Sequence, residues 1–138
     1  MKDFVTYLNF DRNAREAMTF YATSLGGELE ISSFADGPMP SSPETKDLVM
    51  HARITKGGKV LLMASDCPPG MSLQMGNNFS ISIDCESREE VDRLAAALGA
   101  GGTVVMAAQD MFWGAYFGMI KDKFQVAWMF NYDVAKAH

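Results

Sequence analysis

The sequence predicts an α+β fold: two βαβββ modules whose strands form a curved mixed sheet around a cavity. Three observations predict it. A strand running into a helix occurs twice, and each copy is followed by three shorter β-type runs. The first strand of each copy also combines an apolar face with a face too polar for a second core.

The repeat is legible residue by residue. Laid without a gap over residues 80–100, SISIDCESREEVDRLAAALGA, residues 7–27, YLNFDRNAREAMTFYATSLGG, place Leu8 and Phe10 on Ile81 and Ile83, and Asp11 on Asp84. Arg15 and Glu16 fall on Arg88 and Glu89, Met18 on Val91, Tyr21 on Leu94, Leu25 on Leu98 and Gly26 on Gly99. Alternation, an acidic strand end, helical spacing and a terminal glycine agree together, which isolated coincidences would not produce. In each copy period-2 alternation gives way to helical spacing, at Ala14, Ala17, Met18, Tyr21 and Leu25, then at Val91, Leu94, Ala95 and Leu98. Asn13 with Glu16, and Ser87 with Glu90, have the cap-x-x-Glu spacing that satisfies the free amides of a helix start. Gly26 and Gly99 suit the left-handed residue that follows a helix end. Asp11 and Asp84 read as helix-entry residues with no catalytic role.

The β-type runs are ELEISSF, DLVMHARI and KVLLMAS in the first copy and GGTVVMAA, GAYFGMI and FQVAWMF in the second. TKGGK (55–59) and KDKF (121–124) are tight-turn candidates, the Gly-Gly pair being the stronger because primed hairpin turns need positive φ. One domain over residues 1–138 is expected, with module 1 at 1–66, a Pro/Gly/Asn-rich connector at 67–77, module 2 at 78–132 and a tail at 133–138. The first copy carries an extra loop, residues 34–47, whose three prolines forbid a regular strand; it reads either as a plain surface loop or as a lid.

Composition narrows the function classes. A net charge of −5 and a pI near 4.9 argue against nucleic acid, whose binding rests on Lys and Arg neutralising phosphates. The first ten residues lack a secretory core and no apolar run approaches the roughly 20 residues of a bilayer span, so a cytoplasmic protein without membrane partners is expected. Cys67 and Cys85 have no metal-type or redox-type spacing and read as reduced structural thiols. The eleven methionines fit adaptable core filler or a plastic apolar binding surface.

Alternation assigns faces. Leu8 and Phe10 point one way, and Val5, Tyr7 and Asn9 the other; Phe79, Ile81 and Ile83 oppose Asn78, Ser80 and Ser82. The closing strands put Val126, Trp128 and Phe130 toward a helix and leave Gln125, Ala127 and Met129 inside, with Leu62 their counterpart in the first copy. His51 and Arg53 share the inner face, and Met50, Ala52 and Ile54 face the helix.

These stretches resemble the vicinal oxygen chelate superfamily (glyoxalase I, bleomycin-resistance proteins, extradiol dioxygenases), and within it the PhnB-like group. The likeness is carried by YLNF and NAREAMTFYATSLGGE, by VMHARITKGGKVLLMASD, and by QDMFWGAYFGMIKDKFQVAWMFN, which looks specifically PhnB-like. It implies two βαβββ modules in a U-shaped sheet, dimerised, with a pocket inside each U. Members have been labelled 3-demethylubiquinone 3-methyltransferase-like, but the chain has no Gly-rich strand-to-helix loop with a following acidic residue. Enzymes of the superfamily hold a divalent metal on His or Glu at four strand positions, which fall here on Val5, Leu62, Asn78 and Ala127. A one-residue slip would substitute Thr6, Met63, Asn77 or Trp128, and none of the eight is His, Glu or Asp. No metal and no cofactor are expected.

The expected function is therefore small-molecule binding by a homodimer, the ligand contacting Tyr7, Asn9, His51, Asn78, Ser80, Ser82, Trp113 and Met129. The alternative is a superfamily lyase, isomerase or dioxygenase with a metal at displaced ligands such as His51. His51, the one interior histidine, is either a pocket-lining side chain or an acid/base; His138 ends the chain and is given no role. MFWGAYFG (111–118) reads equally as core or as an aromatic pocket wall with Trp113 and Tyr116 as polar tips, suited to an aromatic or cationic ligand.

Overall fold

Alternation in the first strand translates directly into burial. The computed structural model of the chain describes residues 1–37 and 42–134. In β1 (Tyr7–Phe10), Leu8 and Phe10 are buried while Tyr7 and Asn9 are exposed. The chain divides into two compact units, Met1–Gln74 and Met75–His138, and the boundary falls in the Pro/Gly/Asn-rich connector. The residues expected at 38–41 of the long loop, and His138, lie outside the described residues.

In the first unit β1 is followed by α1 (Ala14–Leu25), β2 (Glu28–Ser33), a 3-10 turn (Phe34–Asp36), β3 (Val49–Lys56) and β4 (Lys59–Asp66). The sheet order is β1-β4-β3-β2, with β1 parallel to β4 and the other pairs antiparallel. The second unit repeats this plan with β5 (Ile81–Asp84), α2 (Arg88–Gly99), β6 (Thr103–Met111), β7 (Ala115–Lys121) and β8 (Ala127–Asp133), ordered β5-β8-β7-β6. Two βαβββ modules, each with its own four-stranded mixed sheet, are what the repeat predicts.

One face of each sheet lies under its helix. In the first unit α1 packs on β2, β3 and β4, and buries Ala14, Ala17, Met18 and Tyr21 against Leu8, Phe10, Ala52, Ile54, Leu62 and Ala64. In the second, α2 packs on β6, β7 and β8 and sets Val91, Leu94 and Leu98 over Ile120, Trp128 and Phe130. The β3–β4 hairpin closes on Gly57 and Gly58, both at positive φ, as the turn chemistry requires.

Register corrects several expectations. Leu8 pairs with Ala64 and Phe10 with Asp66, so the buried residues of β4 are Leu62, Ala64 and Asp66, and the opposite face carries Met63 and Ser65. Leu62 is thus a helix-facing residue. Because Ile81 pairs with Trp128 as Leu8 pairs with Ala64, the partner of Ala127 in the repeat is Met63, one residue from the position alternation alone suggested. His51 and Arg53 do lie opposite the buried Ala52 and Ile54, but a bulge between Ser32 and Ser33 brings Val49, not Met50, into the core. Phe79 is exposed and precedes β5, as do Asn78 and Ser80, because Asn77 and Asn78 form a bend that ends the alternation early.

The helix termini also divide. Ser87 Oγ accepts the Glu90 amide at 3.1 Å, and Glu90 Oε1 accepts the Glu86 amide at 3.1 Å. Asn13 makes no side-chain cap; Asp66, arriving from β4, takes its place. Its Oδ1 accepts the Ala14 amide at 2.9 Å and its Oδ2 the Val49 amide at 2.8 Å. Gly26 is left-handed at φ 70, whereas Gly99 closes α2 from inside and Gly101 supplies the positive φ.

Candidate functional site

A sheet face turned away from its helix must be explained by something other than the helix. In the first unit that face is polar. Tyr7, Asn9, Met63, Ser65, Arg53, His51, Glu30 and Ser32 occupy it, as fixed by the pairs Tyr7–Met63, Asn9–Ser65, Arg53–Met63, Glu30–Arg53 and Ser32–His51. The Tyr7 hydroxyl reaches across β4 to His51 Nδ1 at 3.2 Å, and the two ring centroids lie 5.8 Å apart. Arg53 donates from Nε at 3.2 Å and from Nη2 at 3.0 Å to the same oxygen, Glu30 Oε2. Three expected residues, Tyr7, Asn9 and His51, are therefore on one surface, and the first and third touch.

The second unit presents a different chemistry. Ser82 pairs with Met129, Met129 with Met119 and Met119 with Met106, so one serine and three methionines cross the sheet in a row. The next row is Asp84, Asn131, Phe117 and Gln109. Trp113, expected as pocket wall, stands in the β6–β7 turn, half exposed, with its ring 6.1 Å from Phe117 and edge-on to Phe112 at 5.2 Å. Tyr116 is not a polar tip of such a wall. It pairs with Asp110 and Tyr132 on the helix side, its hydroxyl donates to Asp92 Oδ1 at 2.7 Å, and Arg88 lies over its ring. That hydrogen bond raises the Tyr116 pKa. Ser82 and Met129 share the open face of this unit; Asn78 and Ser80 belong to the segment leading into it.

The first unit carries two concavities, and the second meets the open face at Ser65. One of about 480 Å³ runs past the start of α1 between Arg12, Arg15, Glu44 and Asp47; another of about 380 Å³ lies among Phe34, Met50, Ser65 and Pro68. Described parts of the long loop, Phe34, Glu44, Thr45 and Asp47, form walls of these clefts. Asp66 touches both but is committed to two buried amides.

The metal positions of the superfamily can be tested against these side chains. Register replaces Leu62 by Met63 on the open face, and Asn78 lies in a bend, leaving an aliphatic residue or threonine, a thioether, an amide and Ala127. Such a set lacks the imidazole and carboxylate donors a divalent first-row ion requires. Among the described residues, no group of three or more His, Cys, Asp or Glu side chains is placed to hold an ion. The residues present do not fit the inherited centre.

The profile of a family described as 3-demethylubiquinone-9 3-methyltransferase matches residues 2–130. The chain belongs to this PhnB-like family. It is 32% identical to the protein YjdN of Escherichia coli over 139 aligned positions, covering 91% of each chain. Protein PA1353 of Pseudomonas aeruginosa superposes with a TM-score of 0.87 at 42% identity, over 96% of this chain and 98% of that one. A PhnB protein of Bacillus cereus, which also carries the methyltransferase description, superposes at 0.76 with 27% identity, over 95% and 99%. A glyoxylase/bleomycin resistance protein/dioxygenase domain of Frankia shares the fold at 12% identity and a TM-score of 0.70. In this PhnB-like chain the strand-to-helix turns read Asp11-Arg12-Asn13 and Cys85-Glu86-Ser87, without the glycines that let a backbone approach a nucleotide cofactor. No described helix is long and apolar enough to cross a membrane.

Proposed function

We propose that this PhnB-like chain is a cytoplasmic, homodimeric small-molecule binding protein that takes its ligand on the open sheet faces without a metal. The Tyr7–His51 contact carries the reading. A phenol and an imidazole joined at 3.2 Å on the face opposite the packing helix contribute nothing to the core, and they offer donors and acceptors to a ligand. The methionine row with Phe117 and Trp113 supports an aromatic ligand, since polarizable thioethers and ring faces adapt to flat molecules. The test is a thermal-shift screen of aromatic, cationic and 2-oxo compounds on chelator-free protein, paired with elemental analysis and light scattering. A saturable ligand whose effect is lost in His51→Asn and Tyr7→Phe is expected, with no stoichiometric metal and a dimer at micromolar concentration. A tightly held metal, or no ligand in any class, overturns the reading.

One observation favours an enzyme as the second reading. The phenol–imidazole pair can hold and move a proton, which metal-free isomerisation of a 2-oxo compound would need.

A further inference from the structure

The open face of the first unit says which kind of ligand group it accepts, an inference that rests on the binding reading above. His51 and Arg53 are two residues apart on β3, so their side chains leave the same face roughly 7 Å apart at the backbone. The Tyr7 hydroxyl and His51 Nδ1 lie 3.2 Å apart, so Nδ1 is occupied by the phenol and Nε2 is the ring nitrogen left to meet a ligand. Arg53 is the cation of the row, and Glu30 meets it through one oxygen only, with both side chains substantially exposed at 43% and 63%. The charged and titratable groups here are Tyr7 from β1, Glu30 from β2 with Glu28 one step further along, and Arg53 on His51's own strand. β4 contributes the uncharged Met63 and Ser65.

We infer that this face is an oxyanion site. His51 Nε2 and the Arg53 guanidinium hold a carboxylate or phosphate group of the ligand, Tyr7 is the positioning residue that fixes the imidazole tautomer, and Glu30 is a built-in competitor that the ligand displaces. An exposed ion pair is cheap to break, whereas a bidentate guanidinium contact to an entering oxyanion recovers more than the single-oxygen contact it replaces.

The test follows the His51 ring by NMR, with His51→Asn separating its signals from those of His138. Benzoate and inorganic phosphate are the oxyanion probes and benzamide is the neutral isostere of benzoate. Saturable displacement of the His51 signals by benzoate, by phosphate or by both is expected, and which of them acts separates a carboxylate from a phosphate ligand. Glu30→Gln should tighten binding about threefold, because it removes the competitor. Arg53→Gln should weaken it about tenfold, with partial recovery in Arg53→Lys. Tyr7→Phe should move the Nδ1 and Nε2 shifts toward a tautomer mixture before any probe is added. Benzamide acting as strongly as benzoate would sink the oxyanion class while leaving small-molecule binding intact. So would oxyanions that leave His51 unmoved even in Glu30→Gln. Failure of the broader reading shows instead as a thermal-shift screen with no ligand of any class.

Discussion

Asp66 is where the structure makes its sharpest claim about stability. Its carboxylate, 3% exposed, joins the first residue of α1 to the first residue of β3, and both amides belong to residues with no measurable exposure. Asp66→Ala removes the partner of two buried donors. At about 1–3 kcal/mol for each orphaned group, less the recovered cost of burying the carboxylate, the expected loss is about 3 kcal/mol. Asp66→Asn keeps one acceptor and turns an NH2 toward the other amide, so about half the loss should remain. Asn13→Ala removes the residue at the N-cap position, which makes no cap hydrogen bond, and should shift stability by less than about 0.5 kcal/mol. The assay is urea unfolding followed by far-UV circular dichroism, with differences taken from midpoints at constant slope. If Asn13→Ala costs 1 kcal/mol or more while Asp66→Ala costs less, the capping assignment is wrong.

Other expectations are more local. Phe10→Ala, at a residue 2% exposed under α1, should cost about 3 kcal/mol, and Asn9→Ala on the opposite face under about 0.5 kcal/mol, both read from urea midpoints. Burial, reinforced by Glu90, pushes the Cys85 thiol from about 9 up to about 11. The folded state then holds its proton longer than the unfolded chain does. Its stabilising contribution is complete below pH 9 and lost as pH rises through about 11, so wild type should lose stability relative to Cys85→Ala across that window. At pH 8 a disulfide reagent should label half-buried Cys67 first and Cys85 only on unfolding. Trp128→Phe removes the indole donor to Asp122 Oδ2 at 2.8 Å and should cost about 1–2 kcal/mol in the same unfolding assay.

The parts of the fold that came through from sequence are those set by local chemistry. Strand alternation, the helical spacing of Val91, Leu94 and Leu98, the Ser87 cap and the Gly57–Gly58 turn each depend on residues close in the chain. What sequence misplaced depends on partners far away. The start of α1 is capped from β4, 52 residues later, so Asn13 looked like the cap because nothing nearby revealed Asp66. The bulge at Ser32–Ser33 is a register event between two strands, and it alone decides that Val49 rather than Met50 enters the core. Leu62 went to the wrong face for a related reason. The loop that lengthens the first copy breaks the gapless alignment of the repeats, and a slip of one residue reverses every side chain of a strand. The candidate site was readable only as far as alternation reached. It put Tyr7, Asn9 and His51 on one face, but no pattern in the sequence announces that a tyrosine will meet a histidine 44 positions away, or that Arg53 will face Glu30.

The two copies of the module agree on one face and differ on the other, and physical constraint explains the asymmetry. Beneath the helices, Leu8 and Phe10 in one unit and Ile81 and Ile83 in the other pair with Ala64, Asp66, Trp128 and Phe130 on the closing strands. The side chains there differ in size and, at Asp66 and Phe130, in polarity, yet each closing strand buries them against its own helix, because a packed interior penalises both voids and excess. The open faces carry no such mutual constraint within a unit. Where the first has Tyr7, His51 and Arg53, the second has Met106, Met119 and Met129 in register. A surface free to be merely polar would not need three aligned thioethers, and a surface selected for core packing would not keep an imidazole hydrogen-bonded to a phenol. The contrast between the two open faces makes them, rather than the superfamily's metal positions, the place to test for a ligand.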